Sequence, residues 1–220
     1  MTGLLLDYAG VLTGPVVATF TAFETTNGLP PGRTVELLLA EPRRPDQGLI
    51  AALERGELDD RGFEAELARR FAADGHDLPS DGLLGRLFAA LQPAGRLWHV
   101  ARRAREAGIR TGLLSNSWGM GLYPMARLAA HLDVLVISGQ VGLRKPDPAI
   151  YALACERLGM PAADIVFVDD MRRNVDAARD AGLQAIMHAG DDDAVTDEVA
   201  ERLGLAPPPA GWTVERVTAR

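Results

Sequence analysis

The chain has 220 residues, 47% of them hydrophobic and 24% charged, with a formal net charge of -7. That length supports an α/β domain with an insert and the composition excludes a disordered chain, while the acidic balance argues against a general nucleic-acid binder, which needs clustered Lys and Arg. A single cysteine, Cys155, no basic-then-apolar leader and no run near the ~20 apolar residues of a membrane span lead us to expect a protein of the reducing cytoplasm, with no membrane partner.

Residues 3–8 predict a first strand, followed by a glycine turn in Asp7-Tyr-Ala-Gly-Val-Leu-Thr13. The stretch 15–90 then predicts helices at 16–27, 33–39, 48–55 and 60–73, broken by Pro30-Pro31 and Pro42. A helical cap inserted after the first strand is the simplest account, with a core at 1–14 and 91–220 and the cap at 15–90. Residues 95–107 predict the helix that returns the chain to the sheet. Beyond it, short apolar runs at 111–115, 133–138, 164–169 and 184–187 are too brief for helices and carry β-branched residues. They predict buried parallel strands. Helical patterns at 123–130, 148–158 and 174–181 lie between them, which predicts a doubly wound α/β fold with a parallel, Rossmann-like sheet. A last helix is expected at 193–203 and a stiff proline-rich tail at 206–211. No internal repeat is present.

Ligands of open parallel sheets bind beyond the carboxyl ends of the strands. Those ends carry Asp7, Ser115 with Asn116, and Asp169 with Asp170. Each has an ordinary structural use: Asp7 can hold a turn, Ser115 can bond the backbone, and Asp169 can cap the next helix. Together they bring several acids to one place, where they repel unless a cation or a shared proton compensates. An oxygen-only donor set suits Mg²⁺, whereas the cysteine and the four histidines lack the spacing of a zinc site. Lys145, in Gly-Leu-Arg-Lys-Pro-Asp-Pro148, is the chain's only lysine. A protein that uses arginine everywhere else keeps a compact ammonium here. Trp118, close behind Ser115-Asn116, is expected at the site's entrance, and His76, His99, His131 and His188 at the surface or in packing.

These residues resemble the haloacid dehalogenase (HAD) superfamily of hydrolases. Asp7-Tyr-Ala-Gly-Val-Leu is similar to its first motif, Leu113-Leu-Ser-Asn116 to its second, Lys145-Pro to its third and Phe167-Val-Asp-Asp-Met-Arg-Arg-Asn174 to its fourth. The helical insert resembles the small cap of the subgroup that includes the phosphatase domain of soluble epoxide hydrolases. The resemblance implies that Asp7 attacks phosphorus and forms an aspartyl-phosphate. It implies Mg²⁺ held by Asp7, Asp170 and the Ala9 carbonyl with Asp169 assisting, and Asn174 at a metal-bound water. Ser115 and Asn116 would bond phosphoryl oxygens, and Lys145 would orient Asp7 and offset charge. The implied partner is a small phosphorylated metabolite, and the implied assembly a monomer or homodimer.

Position 9 departs from the family. Most of its phosphatases carry an aspartate two residues after the nucleophile, which protonates the leaving oxygen and later activates water. Ala9 can do neither, and such acid–base help is typically worth ~10²–10⁴-fold. Phosphonoacetaldehyde hydrolases resemble the chain in their alanine here but need a cap lysine, and residues 15–90 contain none. Dehalogenases also lack the second aspartate, but they work without metal, which sits poorly with Asp169-Asp170. A phosphatase-type enzyme and a non-catalytic binder of a phosphorylated ligand both stay open.

Overall fold

A computed structural model describes residues 2–39, 47–190 and 192–209. The first strand, β1 (Gly3–Leu6), is followed by α1 (Val16–Asn27), α2 (Arg33–Leu39), α3 (Leu49–Glu54), α4 (Asp60–Ala73) and α5 (Leu83–Leu87). The chain then alternates: α6 (Leu97–Glu106), β2 (Thr111–Ser115), α7 (Met125–His131), β3 (Val134–Ile137), α8 (Ser138–Val141), α9 (Pro148–Leu158), β4 (Ile165–Asp169), α10 (Arg172–Asp180), β5 (Gln184–Met187) and α11 (Asp192–Arg202). Pro42 and the tail from residue 210 lie outside the described residues.

The strands form one sheet in the order β3-β2-β1-β4-β5, every neighbouring pair parallel. Successive side chains of a strand face opposite ways, and the core follows. Leu4, Leu6, Leu113, Val166 and Val168 pack against α6, α7 and α11 on one face, while Leu5, Leu114 and Phe167 meet α9 and α10 on the other. Burial of each large apolar side chain contributes roughly 1.5–3 kcal/mol. With helices on both faces, continuous apolar runs such as Leu4-Leu5-Leu6 and Ile165–Val168 are what these strands require.

The reading of the sequence places most elements correctly, and the differences have local causes. Strand β1 ends at Leu6, so Asp7 stands just past it. Strand β3 ends at Ile137, because Ser138 begins the one-turn helix α8. Helix α5 was not expected; it is one turn long and contains Gly85.

Helices α1–α5 bury a cluster of their own, built on Phe20, Phe23, Phe63, Leu67, Phe71, Leu83 and Leu87. Chain enters and leaves this insert side by side. Thr13 and Pro93 form an antiparallel bridge, Gly14 donates to the Gln92 carbonyl at 3.1 Å and Ala94 to the Leu12 carbonyl at 3.1 Å. Contacts on the β2–β3 side fix the insert to the sheet. Arg144 pairs with buried Glu54 of α3 at 2.6 Å, the Ser138 hydroxyl donates to the Glu54 carbonyl, and Gly56 lies so close to the Gly139 carbonyl that a Cβ would collide. Trp118 packs between Phe20 and Phe88, ring centroids 6.0 and 5.3 Å away. Partly buried, it joins the edge of the insert's apolar cluster.

Candidate active site

Asp7 leaves β1 directly into a tight loop. The Tyr8 amide donates to its Oδ1 at 2.7 Å, and Thr13 ties the loop by accepting from the Gly10 amide at 3.1 Å. Gly10 has φ 79°, and a Cβ there would strike the Asp170 carboxylate. Only glycine gives the backbone both that conformation and that approach.

Lys145 is held by the polypeptide on each side. Asn116 clamps its backbone, donating to the Lys145 carbonyl at 3.0 Å and accepting from its amide at 2.8 Å. A cis peptide joins Lys145 to Pro146, and Asp147 then N-caps α9 through the Ala149 amide at 2.9 Å. Its ammonium, fully buried, donates to the Leu114 carbonyl at 2.8 Å and Asp169 Oδ2 at 2.6 Å, and lies 3.0 Å from Asp7 Oδ1. Burial works against this charge, but Asp169 and Asp7 outweigh it and raise the Lys145 pKa. The two carboxylates thus favour the charged form of Lys145.

Asp169 is fully buried and hydrogen-bonded on both oxygens. Besides Lys145, its Oδ1 accepts from the Met171 amide at 2.8 Å, and Asn174 Nδ2 reaches Oδ1 and Oδ2 at 3.0 and 3.1 Å. It does not cap α10, whose N-cap is Met171 without a side-chain bond, but ties the loop before that helix while facing the acids. Asp170 is only half-buried and borders a cleft of about 580 Å³ shared with Gly10, Thr13 and His188. Burial and the Asp169 charge raise its pKa. Burial, opposed by Lys145 and reinforced by Asp169 and Asp170, pushes the Asp7 carboxyl up to about 7.

Carboxylate oxygens of Asp7, Asp169 and Asp170 lie within 4.8 Å of one another. Such a group favours protonation or a cation, and its hard oxygen donors match a divalent ion such as Mg²⁺. A further observation suits that fit: Asn174 Oδ1 is buried without a hydrogen bond. Lys145 neutralises one of three charges, so the protein leaves the group under-compensated on its Asp170 side.

Ser115, at the end of β2, is buried and its hydroxyl lies 3.0 Å from the Tyr123 hydroxyl and 3.3 Å from the Asn116 carbonyl. Asn116, expected from sequence to face phosphate, directs its amide to the Lys145 backbone instead. Tyr123 was missed: it follows Ser115 at no periodic spacing and is linked to it only by the path of the loop. Among the described residues, no helix is long and apolar enough to cross a membrane.

The family model for haloacid dehalogenase-like hydrolases matches residues 1–182. Among curated proteins, the bifunctional epoxide hydrolase 2 of Sus scrofa is 28% identical over 209 residues, 88% of this chain and 37% of its own length. The chain therefore spans well under half of that relative. A Mycobacterium tuberculosis phosphatase is 34% identical over 88 residues, 38% of this chain and 41% of its own. In fold, the chain is similar to a HAD family enzyme of Bacteroides thetaiotaomicron, in complex with magnesium and inorganic phosphate, at a TM-score of 0.63 and 17% identity over 85% of this chain and 93% of that one.

Proposed function

The chain belongs to the haloacid dehalogenase-like hydrolases, and from that premise we propose that it is a Mg²⁺-dependent, phosphatase-type hydrolase of a small phosphorylated metabolite, with residues 15–90 as its cap. The observation that carries this reading is the group of three carboxylates within 4.8 Å around a buried lysine. Without metal, Asp170 beside Asp7 and Asp169 would add repulsion that no cation offsets. The phosphatase named among the relatives, and the Mg²⁺ and phosphate of the Bacteroides complex, support the same choice.

Asp7 and Asp170, with the Ala9 carbonyl, would hold the cation, Asp169 would orient the set, and Asn174 Oδ1 would accept from a coordinated water. When bound, Mg²⁺ offsets phosphoryl charge and aligns the group for in-line displacement. Asp7 Oδ1 is engaged by the Tyr8 amide and Lys145, which leaves Oδ2 as the nucleophile. Oδ2 bonds to phosphorus as the bond from phosphorus to the leaving oxygen breaks. Water then attacks phosphorus, releasing phosphate and regenerating the Asp7 carboxylate. Lys145 opposes the burial that raises the Asp7 pKa and balances charge in the transition state, and Ser115 donates to a phosphoryl oxygen. Asn116 serves phosphate binding from behind, through the Lys145 loop it fixes.

Ala9 supplies no proton to the leaving group. The favoured substrates are then acyl phosphates, phosphoanhydrides and aryl phosphates, whose leaving groups need little protonation. The test is steady-state hydrolysis of acetyl phosphate and p-nitrophenyl phosphate with Mg²⁺ and with EDTA. Turnover that requires Mg²⁺ and disappears in Asp7→Asn is expected; phosphate binding without turnover on either substrate would identify a binding protein instead.

A further inference from the structure

Tyr123 has no part in the reading above, yet its hydroxyl lies 3.0 Å from Ser115 Oγ. The sequence fixes its place. A single 3-10 turn, Met120–Leu122, precedes it, and Pro124 holds it in extended backbone, φ -90° and ψ 121°. Its ring, 7% exposed, lies against Tyr8 with centroids 5.0 Å apart, so the loops after β1 and β2 support each other through these two residues. At the inner end, the phenol oxygen is 3.0 Å from Ser115 Oγ and 3.4 Å from the Asn116 carbonyl, while Ser115 Oγ is 3.3 Å from that same carbonyl.

These three oxygens share two hydrogens. If the phenol donates to Ser115 Oγ, the serine hydrogen is available to a ligand. If the phenol is removed, the Asn116 carbonyl is the remaining partner of Ser115 and draws that hydrogen away from the site. Building on the phosphatase reading, we infer that Tyr123 is a positioning residue that turns the Ser115 hydroxyl toward a phosphoryl oxygen. Burial raises the phenol's pKa, so it keeps the proton it donates throughout the working pH range. Its ring is already held by Tyr8, so its hydroxyl needs no reorganisation when phosphate arrives, the condition under which a donor is most effective.

The test is a double-mutant cycle on inorganic phosphate binding with Mg²⁺, by calorimetry, for the parent, Tyr123→Phe, Ser115→Ala and the double variant. Loss of one such bond is expected to weaken phosphate about 3- to 10-fold in Tyr123→Phe. In the Ser115→Ala background the same change should have under about twofold effect, because the group it acts through is gone. A structural role would give the same factor in both backgrounds, and that result, or unchanged binding by Tyr123→Phe, overturns the inference. Phenylalanine keeps the ring contact with Tyr8, so cooperative melting near the parent's temperature is expected; failure to fold would show that more than the hydroxyl matters and would also overturn it. A parent that binds no phosphate defeats the phosphatase reading itself, whereas a binding parent with additive variants defeats this inference alone.

Discussion

The two sides of Asp7 differ in kind. Toward β2, Lys145 and Ser115 are buried and meet protein partners, and Asn116 locks the lysine's backbone. Toward β4 the chain changes character within two residues: Asp169 is dry and bonded on both oxygens, and Asp170 is half-buried beside an open cleft. One half is completed by the polypeptide, and the other is open to solution. Preorganised donors are most effective where charge develops during reaction, whereas under-compensated acids favour a cation or a shared proton.

The largest effect should come from breaking the completed half. Lys145→Met leaves Asp7 and Asp169 facing each other in a dry interior. We expect turnover to fall about 10²–10³-fold and stability by about 3 kcal/mol in urea unfolding, as for other buried pairs stripped of one partner. Unchanged turnover would erase the distinction between the halves. The open half should respond to metal instead. At one hundred times Kd, Mg²⁺ should stabilise the parent by about 2.7 kcal/mol, while Asp170→Asn, relieved of one repelling charge, should melt at or above the cation-free parent and gain nothing from Mg²⁺. A variant that keeps the gain would move the cation site elsewhere.

Ala9→Asp sharpens the comparison, since it adds a proton donor without altering either half. Alkyl phosphate turnover should rise about ten-fold and aryl phosphate turnover much less, measured as kcat/KM. Equal gains on both would mean that leaving-group protonation is not what position 9 lacks.

The smallest effect is expected at the seam between insert and sheet. Burial raises the Glu54 pKa against the pull of Arg144. The folded state therefore holds this proton more tightly than the unfolded chain, so the contribution is present in full below the unfolded carboxylate pKa and is lost as pH rises through the folded one. Glu54→Gln should flatten that part of the stability profile in urea unfolding between about pH 4 and 8, a range that runs upward from the ordinary Glu value of about 4.3. A parallel profile in the variant would mean that Glu54 does not titrate in the fold.

The sequence was informative where one-dimensional pattern determines position. Apolar runs without charge could only be strands covered on both faces, and once they were parallel, Asp7, Ser115, Asp169 and Asp170 had to meet at one edge of the sheet. Lys145 was visible as the only lysine, although its reach to Asp7 and Asp169 depends on a loop that Asn116 and Pro146 shape. What stayed hidden depends on contacts between distant segments. Glu54 with Arg144 looks like two surface charges until α3 meets α8, and Trp118 looks like an entrance residue until Phe20 and Phe88 of the insert surround it. Tyr123 reads as the first residue of the helix expected at 123–130, although that helix begins at Met125, and nothing along the chain reveals that its hydroxyl meets Ser115.

The absence of an acid at position 9 has a second consequence, for the water that must later release Asp7. With a good leaving group the first step needs no proton donor, while the second has lost its base. The phosphoryl group should therefore accumulate on the protein. The decisive measurement is rapid acid quench of the parent with acetyl phosphate and Mg²⁺, followed by mass mapping of the phosphorylated peptide. Our account predicts a burst approaching one phosphoryl group per chain on the peptide containing Asp7, diminished in Ala9→Asp and absent in Asp7→Asn. Steady turnover by the parent with no phosphoryl group on Asp7 at any quench time would contradict it.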